Sequence, residues 1–519
     1  MHVTTKRPQK PQGMKNFLTK LISTALAFVS LTAAAVTRYV DLNSPSPTPP
    51  YTSWPTAATN IQDAIEAAVD GDLVLVTNGI YQTGGGVVLG GQSNRVAVTK
   101  PITLQSVNGP QHTVIEGIPR TLMGATRMRC VYVTNNATMI GFTLTNGSAA
   151  SGGGVWCAAF SAVISNCVVG KNSASQYGGG VFGGTVIDSE LIQNSASSGG
   201  GGTCSNTVIN SRIIQNASLK GGGAYRATVE RSLILTNSSI GGQGGSSGEG
   251  GGAYLGTLVN CVVAGNSSDV AGGASLAALT QCSVVGNSGG NGAGVFGCTL
   301  TNSIVYYNNG VGQIKVNHIG STFNSCCTTN PNPPFGLGNI TAPPLFVDLT
   351  STDLRLQSNS PCINSGNNGQ VSAGNDLDGN PRIAGGAVDM GAYEFQSPSS
   401  VLSYTWAQKN GLPTDGSADF TDIDSDGMNN YGEWRSDTIP TNTLSVLRMV
   451  NATNSPSGAK VTWQSVSTRS YWLERATNLG AASPFQTIAT NVAGVAGTKT
   501  FTDTSATNAV QFFYRVGVH

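Results

Sequence analysis

The sequence predicts an all-β chain: a parallel β-helix solenoid, then a short acidic loop segment, then a small C-terminal β-sandwich. Three observations predict it. First, an asparagine recurs at Asn146, Asn172, Asn194, Asn216, Asn237, Asn266, Asn287 and Asn308, in steps of 26, 22, 22, 21, 29, 21 and 21 residues. A near-fixed period of this length marks coils stacked one on another. Second, fixed columns precede each Asn. Three residues before it stand Val169, Leu191, Ile213, Ile234, Val263, Val284 and Val305. Five before it are the small residues Cys167, Ser189, Ser211, Ser232, Cys261, Cys282 and Ser303, and eight before it the aliphatic Ile164, Val186, Val208, Val229, Leu258, Leu279 and Leu300. Alternation of this kind is a strand with one buried face. Third, a glycine run follows each Asn, as in Gly178–Gly180 and Gly221–Gly223. Glycine allows the tight backbone approach and positive φ of a coil corner.

The elements follow in order. Residues 1–35 read as an export signal: Lys6, Arg7, Lys10, Lys15 and Lys20 precede the apolar run Leu21 to Leu31, and Ala33-Ala34-Ala35 offers a small-residue cleavage site. Met14 is an alternative start to Met1. The apolar core is too short for a membrane anchor, and no other segment has the length to span a bilayer. Removing residues 1–35 takes away five basic and no acidic residues, leaving 22 basic and 26 acidic. That balance carries no basic patch for nucleic acid.

Residues 36–136 form an N-terminal cap and the first coils. Ile61, Ala64, Ile65, Ala68 and Val69 make a short amphipathic helix, with Asn60 as N-cap, Asp63 three residues on and Gly71 as stop. Residues 137–310 are the regular coils, in which Asn side chains are expected to bond from coil to coil and satisfy buried polar groups. An insertion at 240–250 accounts for the 29-residue step; it reads either as a tolerated excursion, the default, or as a loop that shapes a binding groove. Residues 311–396 are expected to finish the helix with irregular coils, 397–442 to link, and 443–519 to form the sandwich.

The chain has ten cysteines. Export invites disulfides, with Cys261–Cys282 on neighbouring coils and Cys362 near Cys326 and Cys327 as possibilities; a free buried thiol reads equally well in the small column. The segment Asp422-Ile-Asp-Ser-Asp-Gly-Met-Asn-Asn-Tyr-Gly-Glu433 sets Asp422, Asp424 and Asp426 at alternate positions, with Gly427 at the turn and Glu433 twelfth. Such a ring of oxygens suits Ca²⁺, with the Met428 carbonyl and Asn430 at the seventh and ninth places. It resembles EF-hand, dockerin and thrombospondin-type-3 loops, and departs from an EF-hand at Asn429, where an aliphatic residue is usual. The expected role of the ion is structural. Asp376, Asp378, Asp389 and Glu394 form a second acidic group, whose default reading is turn chemistry.

The glycine-run and Ile/Val-x-x-Asn unit resembles polymorphic outer-membrane-protein repeats, with an aliphatic residue in place of their Phe. The larger unit resembles the pectin-lyase-like right-handed β-helix superfamily. Ser360-Pro-Cys-Ile-Asn-Ser-Gly366, Asp376-Leu-Asp-Gly-Asn-Pro-Arg382 and Val388-Asp-Met-Gly-Ala-Tyr-Glu-Phe395 resemble the terminal region of bacterial choice-of-anchor Q proteins. That resemblance implies a secreted or cell-surface, outer-membrane-associated protein. The resulting expectation is a monomeric adhesion or carbohydrate-binding protein without catalytic residues, acting on extracellular polysaccharide. The alternative is a polysaccharide lyase or glycoside hydrolase, supported by fold analogy alone. Glu190 and Arg212 share a column on adjacent coils, which a plain outward salt bridge explains.

Overall fold

The structure is a computed structural model that describes residues 35–88, 90–119, 127–241, 245–310, 316–329, 336–372, 374–506 and 511–518. The export-signal residues 1–34 lie outside the described residues. Four long sheets run along the solenoid, of 12, 11, 8 and 11 strands among the described residues. One coil shows the order: Thr185–Ile187 in the first sheet, Glu190–Ile192 in the second, Ser195–Gly199 in the third, Thr203–Cys204 in the fourth. Apart from Gly86–Val88, which runs antiparallel to Gln92–Val98 at the start of the fourth sheet, each strand pairs in parallel with its equivalent one coil on, as Val186 with Val208 and Leu191 with Ile213. The fold is therefore a parallel β-helix, and its aliphatic columns stack into one interior core.

The Asn column forms a continuous ladder. Asn194 Nδ2 donates to Asn216 Oδ1 at 3.0 Å and to the Leu191 partner column through Val169 O at 2.8 Å. The Asn194 backbone N–H donates to the same Asn216 Oδ1 at 2.8 Å. This pattern repeats from Asn172 to Asn308, and Asn317 continues it by accepting from Asn308 at 2.9 Å. Asn146 is not a rung. Gly147 stands in the ladder register and its N–H donates to Asn172 Oδ1, while Asn146 occupies the corner before it at φ 59° and bonds Glu116. The small column makes a second ladder. Ser211 Oγ accepts from Ser189 N at 3.0 Å and donates to Ile209 O at 2.7 Å, and Ser232 and Ser303 do likewise.

Helix α1 (Ile61–Ala67) covers the first coils, capped by Asn60, whose side chain accepts from Asp63 N. It stops one residue short of Ala68, and Val69 is exposed. Lys100 Nζ takes the carbonyls of Ile65, Glu66 and Ala68, closing the helix end. In the 240–250 insertion, the described residues are pinned by Asp269, whose Oδ2 accepts from Gly241 N and Gly248 N; residues 242–244 lie outside the described set.

After Asn308 the chain makes one more coil, through His318–Ile319, Thr322–Asn324 and Cys327–Thr328. Residues 337–340 add one last parallel rung beside Ser325–Thr328, and the chain then stops winding. Residues 343–396 fold back along the outer face of the second sheet, where Phe346, Leu354, Leu356, Ile363 and Met390 pack on Val262, Val285, Ile304 and Tyr306. Bonds from Asn260, Gln281, Ser283 and Asn302 hold this flank segment to successive coils. The physical reason is visible in the strands it covers. Val262, Val285 and Ile304 point outward and are apolar, so that stretch of wall needs a cover.

All ten cysteines are buried free thiols. Cys261 and Cys282 lie within hydrogen-bonding reach of each other, as do Cys327 and Cys362. Beyond residue 400, helix α2 (Tyr404–Lys409) packs on the flank segment through Tyr404, and helix α3 (Asn430–Ser436) follows the acidic loop. Two three-stranded antiparallel sheets, Met449–Ser455 with Gly458–Ser465 and Gly497–Asp503, and Gln486–Ala493 with Ser470–Ala476 and Phe513–Val518, close the chain around Trp463 and Tyr471.

Candidate functional site

The acidic loop brings its three aspartates together: one ligand oxygen each from Asp422, Asp424 and Asp426 lies within 4.8 Å of the others. Four of their six oxygens are used locally. Asp422 accepts from Ser425 N and Gly427 N, Asp424 Oδ1 from Asp426 N, and Asp426 Oδ1 from Met428 N. Asp424 Oδ2 and Asp426 Oδ2 are buried without a donor. Glu433 projects from α3 toward them; it is 0% exposed and neither of its oxygens has a partner. Burial, with the charges of Asp424, Asp426 and Asp422, pushes Glu433 up to about 8. Asn430 is also fully buried. Its Nδ2 donates to Ala418 O and Thr421 Oγ1, and its Oδ1 is left over.

Five buried oxygens without donors, contributed by Asp424, Asp426, Asn430 and Glu433, are what a hard cation would satisfy and a plain turn would not. The residues present therefore fit Ca²⁺. The departure at Asn429 has a local cause: its side chain accepts from Gly432 N at 2.9 Å and caps α3. The Met428 carbonyl, expected at the seventh position, sits at the start of that helix with no hydrogen bond of its own described.

The second acidic group is turn chemistry with one addition. Asp376 accepts from Asn380 N and Glu394 N, Asp389 from Asn364 N and Phe395 N, and Glu394 from Ala384 N and Asp389 N. Asp378 points outward and pairs with Arg355. Arg382, 2% exposed, lies among the three buried carboxylates and donates to Asp389 O and Gly391 O. Each of the three buried carboxylates is occupied by backbone N–H groups, so the cluster holds the flank segment together.

One cation facing three buried acids has a pH consequence. Burial pushes Asp389 up to about 7 and Glu394 up to about 8. An acid whose pKa rises on folding contributes stability below its unfolded value, and that contribution is lost as pH climbs through the folded value. The flank segment is accordingly firmest below about pH 4 and loosens as pH climbs to about 8. Protease susceptibility of residues 343–396, measured with a protease of flat pH profile, is expected to rise from pH 5 to pH 8; a fall would show that the acids stay ionised in the fold.

On the fourth sheet an outward column carries Tyr132, Trp156, Phe182, Tyr225, Tyr254 and Phe296, two residues past each glycine run or in register with that position. The sequence reading passed over it, although the offset from the glycines was available as a signal. Its ring faces are taken up internally. Tyr225 and Tyr254 stack at 5.7 Å and 3°, and Lys220 and Arg226 lie over Tyr254 and Tyr225 at 4.8 and 5.2 Å. Glu190 and Arg212 form the expected outward pair at 3.6 Å, exposed and worth at most about 1 kcal/mol.

An opening lies between the solenoid's end, the flank segment, α2, α3 and the sandwich. This open cleft has a volume of about 800 Å³. Trp406 and Trp434 line it, with Lys409, Arg435 and Arg469 against the single acid Asp437, and the amides of Asn364, Asn367 and Asn368. Arg469 donates to Trp434 O at 3.1 Å, and its buried Nε has no partner. These residues come from segments more than 140 positions apart in the chain, from Asn324 to Ser470, so no local motif announced them.

No family model matches this chain, and no curated protein matches it. Solved structures do. The crystal structure of pectate lyase Pel9A is 17% identical, with a TM-score of 0.44, over 69% of this chain and 96% of that one. A rhamnogalacturonan lyase is 19% identical, with a TM-score of 0.25, over 57% and 75%. The complex of XylC with xylose is 8% identical, with a TM-score of 0.29, over 56% and 75%. At these values the architecture rests on the chain's own sheets, and activity is a matter for its own residues. Among the described residues no helix is long and apolar enough to cross a membrane.

Proposed function

We propose that this chain is an exported protein, secreted or held at the outer membrane surface, that binds extracellular polysaccharide as a monomer and without catalysis. The cleft beside α3 carries the reading. Its volume of about 800 Å³ is in the range of small-ligand sites. Two indoles offer flat apolar faces for sugar rings, amides offer hydrogen bonds to hydroxyls, and three cations against one acid favour carboxylate- or sulfate-bearing sugars. Asp422, Asp424, Asp426, the Met428 carbonyl, Asn430 and Glu433 would hold a Ca²⁺ ion, which would supply the positive charge that four converging carboxylates lack. Its role is to stiffen the joint between solenoid and sandwich.

The test is retention of the purified chain on immobilised pectins, alginates and sulfated glycans, with release of new chain ends monitored in parallel. Retention on acidic glycans is expected, weakened about 10-fold by Trp434→Ala and by Arg435→Glu, at an exposed residue. New unsaturated or reducing ends would sink the non-catalytic reading. Equal retention of Arg435→Glu and the unmodified chain would move the site away from the cleft.

A further inference from the structure

Helix α3 is shared by two features that the chain has no other reason to join. Its Glu433 side chain is turned inward to the acidic loop, fully buried and without a donor to either oxygen. The next two residues, Trp434 and Arg435, line the cleft. The helix ends at Asp437, which adopts the left-handed conformation at φ 57° and accepts from Thr468 of the sandwich. Trp434 O accepts from Arg469, on the same sandwich loop, at 3.1 Å. On the other side the Trp434 ring packs against Gly386 of the flank segment so closely that a methyl group there would come within 3.0 Å of it. A seven-residue helix thus touches the loop, the flank segment and the sandwich at once.

A helix of this length has little stability of its own. What fixes it is tertiary contact, and on its loop side the contact is a carboxylate facing three others. Without a cation between them, both Glu433 oxygens stay buried with no partner, which costs stability and leaves nothing to hold the helix to the loop. With one, the same group becomes a tether. We propose that α3 couples calcium in the 422–433 loop to the cleft, so that the ion sets the position of Trp434 and Arg435 and thereby the cleft's affinity for an acidic glycan. This rests on the glycan reading above. The coupling is reciprocal: a glycan that binds the ordered cleft tightens calcium by the same factor.

The experiment uses the full chain with and without free Ca²⁺, and Asp424→Ala as a second variant. Hydrogen exchange of residues 430–440 and 464–472 reads the cleft without any glycan. Slower exchange with Ca²⁺ in the unmodified chain, absent in Asp424→Ala, is expected. Tri-galacturonate is the sugar probe, and its affinity is expected to rise about 10-fold with Ca²⁺ in the unmodified chain only, so that bridging of free sugar by the ion is controlled by the variant. Exchange in both segments that is indifferent to Ca²⁺ overturns the coupling, even if the sugar binds. Calcium-dependent protection with no sugar binding in either state leaves α3 as a calcium-set element but overturns both the coupling to glycan and the cleft as its site. If Asp424→Ala does not fold, exchange of the two segments in the unmodified chain with Ca²⁺ and with chelator, both without sugar, decides the coupling.

Discussion

Asn216→Ala is expected to destabilise the chain by about 3–5 kcal/mol, one of the two largest single-residue effects in the solenoid. The residue is 0% exposed and serves as both acceptor and donor. Its Oδ1 accepts from the Asn194 backbone and side chain at 2.8 and 3.0 Å, and its Nδ2 donates to Leu191 O at 2.8 Å and Asn237 Oδ1 at 3.0 Å. Alanine leaves those partners buried, and each unpaired polar group costs about 1–3 kcal/mol. The matched control is Gln215→Ala, one residue earlier. Gln215 makes the same coil-to-coil amide bond with Gln193, at 3.0 Å, but on the exposed face. Water replaces what is lost there, so a change within about 0.5 kcal/mol is expected. Urea unfolding of the two variants, with hydrogen exchange of residues 190–217 to localise the loss, checks the contrast. Similar losses for both would mean that burial is not what gives the ladder its weight.

Gly179→Ala is expected to cost at least as much, through a different mechanism. A Cβ at this position would land on the Ser195 carbonyl oxygen of the next coil and crowd Gly201 O. Both neighbours are backbone, so relief requires parting two coils and breaking their sheet bonds. At the adjacent Gly180, a Cβ would stand 2.9 Å from Asn194 Nδ2, on the ladder itself. Gly374→Ala is the control: nothing lies within 4 Å of its Cβ position. A soluble, fully cooperative Gly179→Ala variant with an unchanged unfolding midpoint would refute the close-packing account of the glycine runs.

The solenoid was legible because each of its needs recurs. A rung of the ladder requires Asn, the space beside the rung requires Gly, the wall requires Val, Ile or Leu, and each requirement returns every 21 or 22 residues. Reading failed at the ends, where the period breaks. Asn146 falls in the corner position that Lys171, Gln193 and Gln215 also fill at positive φ, and Gly147 takes the rung instead. The fold-back of residues 343–396 has no period, and its signal was indirect: Val262 and Ile304 are apolar where Glu190 and Arg212 are charged in the same outward column of earlier coils. The acidic loop was legible because calcium-type ligands sit at close sequence spacing. The cleft was not, because only folding brings Asn367, Trp406, Trp434 and Arg469 to one place.

The flank segment also decides how force travels through this molecule. Its bonds to Asn260, Gln281 and Asn302 tie it to three successive coils, and the C-terminal modules hang from it. A pull on the sandwich enters the solenoid sideways and is divided among several layers in shear. It does not act on the last coil alone, which would open one rung at a time like a zip.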